Sequence, residues 1–161
     1  MGQLSKTTVQ ADKILNPSRI SLYLPTPYTR ELTLAGTWYK LEGSLTDGAA
    51  VDFTLRGTPD FDVVYDGISG AEIEFFGHAD VMLSSPGGEL DFGLFRGETL
   101  VAKFNSSTNI AADTDIKPLG TAGLIHTVNN GENFSIRAKC SQAGLDLTVE
   151  NIKAYWKLVT V

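Results

Sequence analysis

Apolar and polar residues alternate along most of the chain. Val51, Phe53 and Leu55 are separated by Asp52 and Thr54, and Arg56 follows. Ile73 and Phe75 alternate with Glu72 and Glu74, and that run continues through Ala79, Val81 and Leu83. Leu90, Phe92 and Leu94 oppose Asp91 and Gly93. Later runs are Leu124 to Val128, Phe134-Ile136-Ala138, Leu145-Leu147-Val149, and a last one through Ile152, Ala154, Trp156, Leu158 and Thr160. Upstream, Leu32, Leu34 and Gly36 alternate with Thr33, Ala35 and Thr37 ahead of Trp38 and Tyr39. A period of two sends successive side chains to opposite faces of an extended backbone. Each run therefore predicts a strand with one side in a core and the other in water or at an interface.

Turn-forming residues punctuate these runs: Thr46-Asp47-Gly48, Asp66-Gly67, Ser69-Gly70, Pro86-Gly87-Gly88, Arg96-Gly97-Glu98, Asn129-Asn130-Gly131 and Ala143-Gly144. Asp66-Gly67 and Asn130-Gly131 suit the positive φ angles of tight hairpins. Gly recurs too often after Leu32 for a helix of ordinary length. About eight to ten short antiparallel strands at this spacing predict an all-β sandwich or barrel.

The first 31 residues differ from the rest. They carry Pro17, Pro25 and Pro27, and their basic side chains Lys6, Lys13, Arg19 and Arg30 outnumber Asp12 and Glu31. The remainder holds 9 basic against 17 acidic residues, within a total net charge of -6. Residues 1–31 are thus expected to form an extended basic arm ahead of an acidic domain spanning 32–161. The arm either lies on a partner surface or wraps its own domain as a strand. At 161 residues, 42% hydrophobic and 20% charged, the chain suits one globular domain. Its acidity argues against nucleic-acid binding, and no apolar run reaches the roughly 18 residues of a membrane span. The opening Met-Gly-Gln-Leu-Ser-Lys lacks the apolar stretch of a secretory leader. Cys140 has no second cysteine to pair with and is expected to be a small buried residue.

Candidate chemistry is sparse. His78 and His126 fall within separate strands, without companions at metal-ligand spacing. Nucleophile-elbow, dinucleotide and phosphate-loop patterns are absent. Two Asp-x-Asp pairs, Asp60 with Asp62 and Asp113 with Asp115, offer oxygen ligands for calcium but lack the spacing of a calcium loop. The expectation is a chain with no catalytic residues and no cofactor. Aromatic residues that could form a sugar-binding platform, Trp38, Tyr39, Phe75, Phe92 and Trp156 among them, are spread over different strands, where core packing accounts for them. Phe76, Phe95 and Tyr155 stand on the parity opposite to their apolar neighbours. Exposed, they would mark a subunit or partner interface, alongside the cations Lys6, Lys13, Arg19 and Arg30.

From Asp62 onward the order of elements is familiar. A strand and turn lead to Gly70 and the long run from Ala71 to Leu83. Leu90-Asp91-Phe92-Gly93-Leu94-Phe95 then ends in Arg96-Gly97-Glu98. Asn130-Gly131-Glu132 precedes Phe134-Ser135-Ile136, and Leu145-Asp146-Leu147-Thr148-Val149-Glu150-Asn151 opens the closing strand. This rhythm resembles the C1q/TNF-like jelly rolls, in particular those of bacteriophage virion proteins. The resemblance implies an antiparallel jelly-roll sandwich that assembles, usually as a homotrimer. It further implies a capsid decoration or cement protein on the virion surface, bound to the major capsid protein after assembly in the host cytoplasm. The alternative it implies is a phage fibre or receptor-binding domain that recognises carbohydrate.

Overall fold

The computed structural model describes residues 19–24, 26–42, 50–56, 62–85, 88–104, 117–121 and 123–160. Twelve strands lie among them: β1 (Arg19–Tyr23), β2 (Tyr28–Leu32), β3 (Tyr39–Lys40), β4 (Phe53–Arg56), β5 (Asp62–Tyr65), β6 (Ala71–Leu83), β7 (Leu90–Arg96), β8 (Thr99–Lys103), β9 (Lys117–Gly120), β10 (Leu124–Val128), β11 (Asn133–Cys140) and β12 (Leu145–Thr160). They form two antiparallel sheets. In the first, β12 pairs with β6, β1 and β2 lie end to end along the free side of β12, and β9 and β10 lie end to end along β6. In the second, the order is β4-β5-β11-β7-β8, with β3 continuing the line of β5 along β11. From β5 to β6, β6 to β7, β10 to β11 and β11 to β12 the chain changes sheet each time, which is a jelly-roll path.

Alternation in β6 runs unbroken. Ala71, Ile73, Phe75, Gly77, Ala79, Val81 and Leu83 are buried, and the residues between them are not. β12 joins the two runs read separately in the sequence. Leu145, Leu147 and Val149 face inward, then Ile152, Ala154 and Trp156 do, so the buried parity changes from odd to even. The change falls at a register shift between Val149 and Asn151, where one extra residue enters the strand as a bulge. At the centre of the sandwich Phe75 packs 4.8 Å from Trp156 and 6.0 Å from Phe104, ring centre to ring centre, and Phe104 lies 6.1 Å from Phe92. Tilted aromatic pairs at these separations add to their area burial.

Several expectations are corrected. The boundary at residue 31 does not hold in the fold, because Arg19 to Leu32 lies inside the first sheet. β1 pairs with the 153–157 stretch of β12 and β2 with the 145–149 stretch. Ile20, Leu22, Leu24 and Leu32 are buried there, an apolar period of two that only a core can satisfy. Lys6, Lys13 and the rest of residues 1–18 lie outside the described residues. The run from Leu32 to Gly36 is not a strand: the chain turns at Gly36 (φ 71°), whose amide donates to the Cys140 carbonyl, and Leu34 is exposed. Asp66-Gly67 and Asn130-Gly131 are not hairpin turns either. Each carries the chain between sheets, and the two crossings are tied together. The Gly131 amide donates to the Tyr65 carbonyl (2.7 Å), and Asn130 donates from its backbone to Ser69 Oγ and from Nδ2 to the Gly67 carbonyl. Turn chemistry specifies a reversal; which strands pair afterwards depends on the core.

Gly77 tests the packing. A Cβ there would lie 2.5 Å from Phe104 Cζ and 2.8 Å from Phe75 Cζ, both in buried rings. Gly77→Ala is expected to lower stability by about 1–3 kcal/mol, the usual range for overpacking, read as a lower urea midpoint at unchanged slope. Deleting Glu150 removes the extra residue, so Leu145 to Val149 and Ile152 to Trp156 fall into one unbroken inward alternation with their β6 partners unchanged. A cooperative unfolding transition should remain, whereas deleting Asp146, inside a regular half, should abolish it by turning the flanking residues to the wrong face.

Candidate interaction surface

The outward faces of the two sheets differ. On the second sheet, outward Phe95 is only 4% exposed, contrary to the expectation of an exposed aromatic. Trp38, entering β3, folds over the sheet with its ring edge-on to Phe95 at 5.1 Å. A side chain at Gly93 would strike Leu100 and Trp38, so glycine there admits this cover. From β11, the Arg137 guanidinium lies 4.4 Å over the Phe95 ring. Its Nε donates to Ser135 Oγ (3.1 Å), Nη1 donates to Glu98 Oε2 (2.6 Å), and Nη2 donates to Glu98 Oε1 (2.9 Å) and the Gly97 carbonyl (2.7 Å). Arg137 is buried on an outward face, with every bond directed to its own domain. Lys139 stands 4.9 Å over Trp38 and 3.1 Å from Asp91. Burial alone would raise the Asp91 carboxyl, but hydrogen bonds from Lys103 and Lys139 outweigh it and hold the group below the usual carboxylate range. The hydrogen bonds and charge of Arg137 likewise hold Glu98 low.

The first sheet presents a different face. Its register sets Ser21, Tyr155 and Phe76 in one outward row, and Tyr23, Lys153, His78 and Gly120 in the next. Phe76 is 39% exposed, Tyr23 46%, and Ile125, beside them on β10, 55%. These rows floor an open groove of about 690 Å³, completed by Thr121. His78 Nε2 donates to Asp80 Oδ1 (3.0 Å), whose other oxygen accepts from Asn151 Nδ2 (3.2 Å). Lys157 pairs with Glu74 at 3.2 Å on one flank, while Lys153 has no carboxylate partner among the described residues. Thr121 Oγ1, in the groove wall, is shielded from solvent and has no hydrogen-bond partner among the described residues.

The sequence-derived interface residues thus separate. Phe76 and Tyr155 are cross-strand partners in the groove, and Arg19 flanks it opposite Lys157. Phe95 is on the other sheet and sealed. Arg30 is engaged at home: Nη1 donates to the Lys40 carbonyl and to Glu42, and the guanidinium lies 5.4 Å over Tyr39. Of the calcium candidates, Asp62 takes the Lys40 ammonium at 2.9 Å, and Asp60, Asp113 and Asp115 lie outside the described residues. Among the described residues no three His, Cys, Asp or Glu side chains converge as a metal site. Arg137 and Tyr23 escaped the sequence reading. Tyr23 continues the alternation of Ile20 and Leu22 and was legible in it; the burial of Arg137 leaves no local signal.

No protein-family model and no curated protein matches the sequence. Solved structures do match its fold. Eiger TNF from S. frugiperda superposes with a TM-score of 0.61 at 10% identity, over 91% of this chain and 95% of that one. The globular domain of zebrafish complement 1qA protein gives 0.52 at 11%, over 89% and 97%. A chain of infectious bursal disease virus, Gt strain, gives 0.53 at 11%, over 87% of this chain and 33% of its own length. At such identities the likeness carries the fold: the chain is an all-β jelly-roll sandwich similar to TNF and C1q domains.

The cover on the second sheet predicts an asymmetry between partners. Arg137→Ala strips Phe95 and deletes four hydrogen bonds, at an expected cost of about 2 kcal/mol in chemical denaturation. Glu98→Gln should cost less, because the Ser135 and Gly97 contacts to Arg137 survive it. Equal losses would show that the cover depends on charge and not on packing.

Proposed function

We propose that this chain is a structural protein of a virus particle, a decoration or cement protein on the outside of a bacteriophage capsid. In this reading it forms a homotrimer through the outward face of β1, β12 and β6. The observation that carries the reading is the groove around Phe76, Tyr155 and Tyr23, an apolar surface left open on one sheet while the other sheet covers its own. Large exposed side chains clustered on one face are the usual mark of an association surface. The likeness to TNF, to C1q and to a chain of a virus supports it at the level of fold. So does the lack of catalytic motifs in the sequence, because a protein that works by association needs none. The major capsid protein is the partner. Residues 1–18, with Lys6 and Lys13, supply an arm toward it, and the particle is assembled in the host cytoplasm.

Light scattering on the purified chain should give three times the 17.4 kDa protomer mass. Phe76→Glu and Tyr155→Glu, each placing a charge in the groove, should reduce this to a single protomer with far-UV dichroism unchanged. The trimer should cosediment with capsids at fixed stoichiometry and lose that property without residues 1–18. A trimer that ignores capsids but binds glycans would replace this function with that of a fibre or receptor-binding domain. A wild-type monomer would remove the groove as a self-association surface.

A further inference from the structure

Among the described residues β10 borders the first sheet and is held to it along β6 alone, with His126 opposite Ile73. Leu124, His126 and Val128 point inward. His126 lines a narrow crevice with Ile73, Phe75, Leu94, Val128, Phe134 and Trp156. The crevice is too constricted for a water molecule. Both His126 Nε2 and Trp156 Nε1 are shielded from solvent and have no hydrogen-bond partner among the described residues. Buried polar groups in folded proteins are nearly always paired, so two orphans at one crevice call for a physical account.

The chemistry of the wall supplies one. An imidazolium carries a proton on both ring nitrogens and needs acceptors for them. The wall offers hydrocarbon and one indole N–H, which is itself a donor. The charge that acts on His126 from the inward side is of the same sign. Arg96 of β7 reaches across the open end of the sandwich, donates to the Thr127 carbonyl (3.3 Å) and lies 3.7 Å from Glu132, so that carboxylate is already engaged. On β6, Glu72 and Glu74 flank Ile73 but belong to the outward face, where Glu74 holds Lys157 of β12. β11 contributes Phe134 to the wall, and β12 contributes Trp156. Among the described residues nothing packed against His126 can compensate a positive charge.

We propose that His126 makes β10 an acid-released edge: when the imidazole is charged, β10 leaves β6 and the Arg96 clasp while the β6–β12 ladder and the second sheet stay formed. The release is local because, among the described residues, β10 pairs with no strand except β6, whereas β6 keeps β12 and β9. It would bare the β6 edge from Ala71 to Phe75 as an unpaired strand and shift Ile125 beside the groove. Burial first, and the Arg96 charge second, hold the His126 imidazole below its ordinary value. Its neutral form is thus the one the fold favours. The stabilisation is full above the unfolded-state value of about 6.5 and is lost as pH falls from there through the lower folded-state value. This inference does not rest on the proposed function and applies to a monomer or an oligomer alike.

The test is hydrogen–deuterium exchange of the full chain across pH 8 to 5, corrected for intrinsic exchange, beside a ¹³C-histidine NMR titration. With two histidines in the chain, His78→Gln identifies the His126 resonance. Protection over residues 124–128 should fall several-fold with the midpoint of the His126 titration, while residues 133–140 and 151–158 keep theirs. His126→Leu should retain β10 protection to pH 5, with His126→Gln as the second non-titrating variant if leucine does not fold. Constant β10 protection through the His126 titration would overturn the proposal. So would the same loss in the non-titrating variants, or simultaneous loss in every strand.

Discussion

The ladder between β12 and β6 is the constraint on which the other parts depend. It runs from Leu147 to Thr160 and brings Phe75 beside Trp156, the pair at the centre of the core. The free side of β12 then accepts β1 and β2, and the far side of β6 accepts β9 and β10, so every strand of the first sheet is placed by these two. A strand as long as β12 could not keep one buried face without correction, because its apolar residues change parity. The bulge near Glu150 makes that correction, and locally increased twist is the usual accompaniment of such an insertion.

A two-sheet sandwich leaves two outward faces to be managed, and this protein treats them unequally. The second sheet covers itself with Trp38, Phe95 and Arg137, and its cations are directed to Glu98 and Asp91 in the same domain. The first sheet leaves Phe76, Tyr23 and Ile125 in the open, and Lys153 has no carboxylate partner among the described residues. Free energy remains available from removing apolar surface from water only where that surface is uncovered. The association proposed above therefore uses the first sheet, while the second sheet covers its own apolar surface.

Local weakness follows the same geography. The central strands are bonded on both sides and filled with tilted aromatic pairs, whereas β10 carries a polar ring into an apolar wall at the border of its sheet. Strands with one neighbour and an unsatisfied buried group belong to the low-stability end of a structure. In this chain that border is adjacent to the open face.

By itself the sequence determined the strand content and most inward faces. Alternation in β6, β7, β11 and both halves of β12 is a consequence of extended backbone geometry, which each residue shares only with its neighbours. The same parity set Phe76 and Tyr155 outward, and the ladder then made them partners. It also set Phe95 outward, correctly as to direction, yet direction does not say whether a face is covered. That depended on Trp38 and Arg137 arriving from elsewhere in the chain. The fates of Arg19 and Arg30, the joining of two runs into β12, the sheet changes at Asp66-Gly67 and Asn130-Gly131, and the shared crevice of His126 and Trp156 belong to tertiary structure for the same reason. Each is a relation between segments far apart in the chain, and only packing brings them within reach.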